Sequence, residues 1–300
     1  MTNFPIIDAH QHFWDLSMNK HPWLCGEPLI PFRYGDYSSI KRNYLPNDYR
    51  ADAIEFNVVK TVHAEAEWST NDPLGETEWI MQLHQETGFP NAIIGQAWFA
   101  NNDIESVLEG HASCPLMRSI RQKPTATACP GSFKAGAPGS MADPAFRAGY
   151  SVLETYGLHY DLQTPWWHLE EAADLARDYP KTTIILNHTG LPSNRTSEGI
   201  AKWRLGMETF AAQPNTAVKI SGICVPHTKW TTALNRDIVM ETIRIFGVER
   251  CMFASNFPVD SLVATFSEIF SGFAEIVSKL PEIDQRKLFH DNAAKYYRPI

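Results

Sequence analysis

The chain has 300 residues, 44% of them hydrophobic and 20% charged, with 26 Lys and Arg against 34 Asp and Glu for a net charge of −8. That length and balance supply a sizeable core and exclude a disordered, collagen-like or disulfide-scaffold protein, and the lack of any basic run argues against a nucleic-acid partner. The five cysteines, Cys25, Cys114, Cys129, Cys224 and Cys251, never fall in a CxxC pair and read as free thiols; with no leader-like start and no apolar run near about 18 residues, a cytoplasmic protein without a membrane partner is expected.

Short β-branched or apolar runs alternate with helix-like stretches, the pattern of βα units. Strands are predicted at Pro5–His12, Val58–Glu65, Asn91–Trp98, Leu116–Gln122, Leu158–Gln163, Thr183–Thr189, Ala217–Gly222 and Cys251–Asn256. Helices are predicted at Glu76–Thr87, Pro144–Tyr156, His168–Tyr179, Gly199–Ala212, Asn235–Phe246, Val263–Lys279 and Ile283–Tyr297. The clearest is His168–Tyr179, where Leu169, Ala172, Ala173, Leu175, Ala176 and Tyr179 share one face and Pro180 stops the run. Such alternation predicts an α/β fold, a (β/α)₈ TIM barrel with its site at the C-terminal strand ends, in one domain over residues 1–300. A doubly wound sheet would need a glycine-rich turn after the first strand; a histidine pair stands there instead. Two long connections, 13–53 and 123–143, are expected to lie over the barrel mouth as lids.

His10 and His12, two apart at the end of the first strand, share a face and point into the barrel. Two converging imidazoles suit a divalent metal or a pair of polarising donors, although an isolated HxH is more often core or surface. His188 ends the sixth strand and would meet them at the same mouth.

The last strand runs into Ser255-Asn256-Phe257-Pro258-Val259-Asp260. Taken in order, "DAHQHFWD", "HPWL", "IRQ", "LNHTGLP", "KISG" and "SNFPVD" resemble the amidohydrolase superfamily, and within it the lactonase branch of fuconolactonase-like and pyrone-dicarboxylate lactonases, from Ile6 to about Tyr297. The resemblance implies a hydrolytic barrel in which His10, His12 and His188 match the family's histidines.

The sequence departs from that pattern twice. Most relatives carry an aspartate where this chain has Asn256, and an amide takes up no proton at neutral pH. Asp260 is then either the base or merely the N-cap of a helix starting near Ser261. A binuclear metal site would want a further histidine after the fifth strand, which ends Gln163-Thr164, and a bridging lysine or glutamate; Lys123 and, better placed, Glu65 are the candidates. His10, His12, His188 and Glu65 would hold one divalent ion, zinc by preference, or the site works without metal and Glu65 orients a histidine.

For the substrate, the resemblance favours Arg121 over Arg118: three positions apart, the two fall on opposite faces, and Arg121 would grip a carboxylate or lactone oxygen unless an ion pair occupies it. Trp14 is a pocket-wall candidate among Trp23, Trp68, Trp98, Trp166 and Trp167. His63 is kept with the substrate-binding candidates, packing being its other role. The expected activity is opening of a small carboxylated or polyhydroxylated lactone by water. The alternatives are a zinc-dependent decarboxylase of a cyclic acid and a barrel retained only for binding. A homo-oligomer is compatible with all three.

Overall fold

A computed structural model describes residues 4–225 and 227–300 and places all eight predicted strands in one parallel sheet, ordered as in the chain. These are β1 (Ile6–Gln11), β2 (Val58–Ala64), β3 (Ala92–Gln96), β4 (Met117–Arg121), β5 (His159–Leu162), β6 (Ile184–Leu186), β7 (Thr216–Ile220) and β8 (Cys251–Phe253). The sheet curls until its ends meet just beyond β8: the Asn256 N–H donates to the His10 carbonyl at 2.8 Å and the His12 N–H to the Phe257 carbonyl at 2.7 Å. The result is a (β/α)₈ barrel.

Ile7, Ala9, Val62, Ala64, Ala92, Ile94, Ile185, Ala217 and Met252 pack together, and residues from so many strands can meet only inside the barrel. Tyr297 and Ala293, from the C-terminal helix Asn292–Tyr297, join them at the end away from the site. The apolar helix faces cover the outside, as the 3.6-residue period requires: Leu169, Ala172, Ala173, Leu175 and Ala176 of Leu169–Asp178 are all buried.

Three differences from the predicted elements have local causes. Pro144–Tyr156 breaks at Val152 into Pro144–Ser151 and Leu153–Tyr156. The last predicted helix holds a π turn at Lys287–Asp291 between two α segments. A helix at Ile104–Ala112 was not predicted: only Val107, Leu108 and His111 are buried, too few turns to display a period.

The connection after β1 folds over the mouth and brings Trp14, Trp23, Phe32 and Arg33 to the cavity there. The connection after β4 mostly packs beside the mouth, with Thr127 N–H bonded to His168 Nε2 at 3.0 Å and Gly136 N–H to Glu171 at 3.2 Å; from it, Lys123 reaches the cavity.

Asp260 is no helix cap. It lies in a tight turn, Val259–Leu262, and the following helix Phe266–Val277 is capped by Thr265, whose hydroxyl accepts from Glu268 N–H at 3.1 Å while Glu268 accepts the Thr265 N–H at 2.7 Å. Thr265→Ala is expected to cost about 1 kcal/mol and to lower the thermal midpoint by roughly 2–4 °C, with unaltered turnover; thermal unfolding followed by circular dichroism checks it.

Candidate active site

The site begins with a fault in β1. Between Asp8 and Gln11 that strand advances three residues while β2 advances two, from Thr61 to His63, which is a β-bulge. Ala9 faces the barrel interior, and the extra residue lets His10 follow on the same side, so that His10 and His12 both look across the mouth. Asp8 turns outward and ties β1 to β8, accepting Ser255 N–H at 2.9 Å, Ser255 Oγ–H at 2.5 Å and Tyr49 O–H at 2.8 Å.

His10 and His12 approach Nε2 to Nε2 at 3.2 Å, and the His188 ring centre lies 4.8 Å from that of His10. His12 Nδ1 donates to the Ala64 carbonyl at 2.7 Å, and His188 Nδ1 meets Ser221 Oγ at 2.9 Å. Those bonds orient both rings and leave the Nε2 lone pair of His12 exposed to the other histidines. Burial, first of all, and then nearby cations hold all three imidazoles well below their ordinary pKa: Lys219 faces His10, Arg121 faces His12, and Arg33 faces His188. All three are neutral at pH 7.

His188 and Asn256 have φ of 56°, the left-handed region that costs an ordinary residue about 1–2 kcal/mol and that asparagine tolerates best. Gly222, at φ +55°, is required twice over: a Cβ there would stand 2.6 Å from His188 Nδ1 and 2.8 Å from Arg33 Nη2.

Asn256 joins His12 and His188 at the cavity. Its Nδ2 donates to Asp260 Oδ1 at 2.6 Å, which turns the amide oxygen the other way. Asp260 is buried behind it, outside the cavity wall, and also accepts from Tyr34 O–H at 3.1 Å. Burial raises its carboxyl above the usual range, against the pull of Arg33 and these hydrogen bonds.

The remaining predicted residues take other places. Arg121 points inward and lines the cavity, but its Nε donates to Glu65 Oε1 at 2.5 Å and its Nη2 to the Glu65 carbonyl. Glu65 Oε2 accepts Glu67 N–H at 2.7 Å, so Glu65, expected as a metal ligand, spends both oxygens on protein donors. Lys123 pairs with Glu67. His63 lies behind the wall: Nδ1 accepts Phe13 N–H and Nε2 meets Glu76, each at 3.2 Å. Burial pushes His63 down to about 3, and its role is to hold the chain after His12, which corrects the expected substrate contact. Trp14 lines the cavity and is anchored through Nε1 to the Arg42 carbonyl at 2.7 Å. Arg118 points outward to the carbonyls of Pro115, Met117 and Arg298.

The sequence model of the family described as amidohydrolase matches residues 7–298. The chain belongs to the amidohydrolase family. It is 40% identical to the uncharacterized protein y4mH of Sinorhizobium fredii over 298 residues, covering 99% of this chain and 100% of that one. It is 24% identical to the L-fucono-1,5-lactonase of Burkholderia ambifaria over 299 residues, 97% and 95% of the two chains. In fold it matches a crystal structure of a Burkholderia multivorans amidohydrolase with bound zinc at a TM-score of 0.82, with 20% identity and coverage of 99% and 100%. The resemblance read from the motifs is borne out, and the protein is an amidohydrolase of hydrolase class.

Two charged residues of this amidohydrolase went unnoticed in the sequence. Lys219 of β7 stands inside the barrel, 2.6 Å from Asp161 of β5 and 3.4 Å from His10 Nδ1. Tyr297 O–H donates to Asp161 at 2.9 Å and Asn187 Nδ2 at 2.8 Å. Burial pushes Lys219 down to about 8, with Asp161 pulling the other way. A lysine and an aspartate each flanked by buried apolar or aromatic strand residues were the available signal.

Histidines held neutral in the fold and free to protonate when unfolded stabilise the fold fully above about pH 6.5, and lose that contribution as pH falls below it. The thermal midpoint is therefore expected to drop steadily from pH 6.5 to 5. Replacing His10 by Gln should flatten that slope, as thermal melts across this range will read.

Proposed function

We propose that the protein hydrolyses a small lactone, adding water across the ring ester to give the open hydroxy acid. One observation carries this reading: three neutral imidazoles converge at the barrel mouth, and two of them, His12 and His188, line with the amide of Asn256 a cavity of about 300 Å³ walled by Trp14, Trp23 and Phe32. That is room for one substituted ring, with aromatic walls and several polar groups to orient it. The similarity to lactonases supports the same chemistry.

A divalent ion belongs to this reading, and His10 and His12 are the pair spaced for it, although among the described residues no group of three or more His, Cys, Asp or Glu is already gathered to hold one. Two nitrogens on a tetrahedral zinc stand roughly 3.3–3.4 Å apart, close to the 3.2 Å between His10 and His12, and neutral imidazoles are the form that binds metal. His10, His12 and His188 would hold it, with Asn256 beside them in place of the carboxylate expected from the family pattern. When bound, zinc supplies a Lewis-acid centre that lowers the pKa of water and polarises the ring carbonyl.

The chain's own groups do the rest. Imidazoles held this far below their ordinary pKa are weak bases yet keep their lone pairs, which suits ligation and hydrogen bonding better than proton storage. Asn256 presents its amide oxygen as an acceptor that orients the attacking water. Asp260 is a positioning residue: its hold on Nδ2 fixes which way that amide faces. Trp14 and Trp23 bury the ring and exclude other water; the attacking water forms the new acyl carbon–oxygen bond, the ring carbon–oxygen bond breaks, and the proton the water loses goes to the departing alkoxide.

Removal of metal by a chelator should abolish hydrolysis of a lactone panel, and added zinc should restore it; full activity in the metal-free protein would return water activation to the imidazoles. Carbon dioxide among the products would instead mark a decarboxylase. Asp260→Asn is expected to lower kcat about 10–100-fold with KM little altered. A wild-type kcat in that variant would remove Asp260 from the mechanism.

A further inference from the structure

Three cationic side chains line the cavity: Arg33, Arg121 and Lys123. Two are compensated by a carboxylate in direct contact, Arg121 by Glu65 and Lys123 by Glu67. Arg33 is different. Among the described residues its one hydrogen bond runs from Nη1 to the Gly222 carbonyl at 3.1 Å, fewer than a guanidinium can make. Its nearest carboxylate, Asp260, stands 3.7 Å from Nη2 and has Oδ1 already taken by Asn256 and Tyr34. The guanidinium carbon lies 4.5 Å from the Tyr34 ring centre, a stacking contact that fixes its plane, and the side chain remains 27% exposed on the cavity side.

We propose that Arg33 is the anion-binding residue of the site and that the substrate is a lactone carrying a carboxylate on its ring. This rests on the lactone reading above and gives it a substrate class. The placement sets the distance: a Cβ on Gly222 would touch both Arg33 Nη2 and His188 Nδ1, so the guanidinium stands immediately beside His188. An acid group gripped there belongs to the ring being opened and not to the end of a long chain. A planar fork with unspent donors suits a carboxylate bidentately. The aromatic wall of Trp14, Trp23 and Phe32 takes the rest of the ring.

The test separates binding from turnover. Tetrahydropyran-2-carboxylate, a ring acid with no ester to cleave, and its carboxamide are titrated calorimetrically into the metal-loaded protein, into Arg33→Gln and into Arg33→Lys. In parallel, kcat/KM is measured for a ring-carboxylate δ-lactone and its carboxamide, with thermal melts to check folding. In the wild type the carboxylate is expected to bind more tightly than the amide. Arg33→Gln should shrink that preference about 10–100-fold in both measurements, and Arg33→Lys should keep part of it. The proposal is overturned if the wild type shows no charge preference, or if Arg33→Gln weakens acid and amide equally, which would leave Arg33 only bracing the Gly222 carbonyl. Arg33-dependent binding of the ring acid without turnover of any lactone would sink the lactone reading and leave the anion site standing. Lactone turnover with no charge preference would do the reverse.

Discussion

The seam between the first and last strands is the constraint on which the site depends. Opposite ends of the sheet are joined by main-chain bonds from Asn256 to His10 and from His12 to Phe257, and by the Asp8 carboxylate gripping Ser255. The same residues that close the barrel are the ones we propose for the chemistry. Their side chains are set by the backbone that seals the fold, so loosening the seam and misplacing the histidines are one event. A carboxylate buried with four donors around it is stable only because every lone pair is used, which makes Asp8 a fixed point from which His10 and Asn256 are both measured.

A second layer of charge lies beneath. Asp161, Lys219 and Tyr297 form a fully buried polar cluster under His10, in the part of the barrel that is otherwise filled by Ile, Val and Ala. An ion pair so deep contributes little net stability once desolvation is counted. Its effect on the site is electrostatic and secondary to burial: burial first lowers all three imidazoles, and Lys219 under His10, Arg121 beside His12 and Arg33 beside His188 lower them further.

Much of this was legible in the sequence. Alternation of apolar runs gave all eight strands, and the HxH pair, His188 and Asn256 do converge. What was hidden is what periodicity does not encode. The bulge at Asp8–Gln11 is a register event visible only against β2, and without it strict alternation from Ile7 and Ala9 would send His10 outward. Arg121 and Glu65 were both singled out, yet their mutual bond joins β4 to the end of β2, and no local pattern signals it. Arg33 sits in an irregular stretch after β1 whose path follows from packing of Trp23, Phe32 and Tyr37, and so its nearness to His188 was invisible. His63 had two readings, substrate contact and packing, and its neighbours, the Phe13 main chain and Glu76, are those of packing.

The left-handed backbone at Asn256 has a consequence for how such a site changes over time. That conformation admits asparagine and aspartate on nearly equal terms and penalises most other side chains. An exchange between amide and carboxylate therefore passes through a backbone that need not move, with Asp260 as the neighbour that feels the difference. On the proposed reading of the site, chemistry at this seat can pass between base and hydrogen-bond acceptor by a single substitution while the backbone beneath it keeps its conformation.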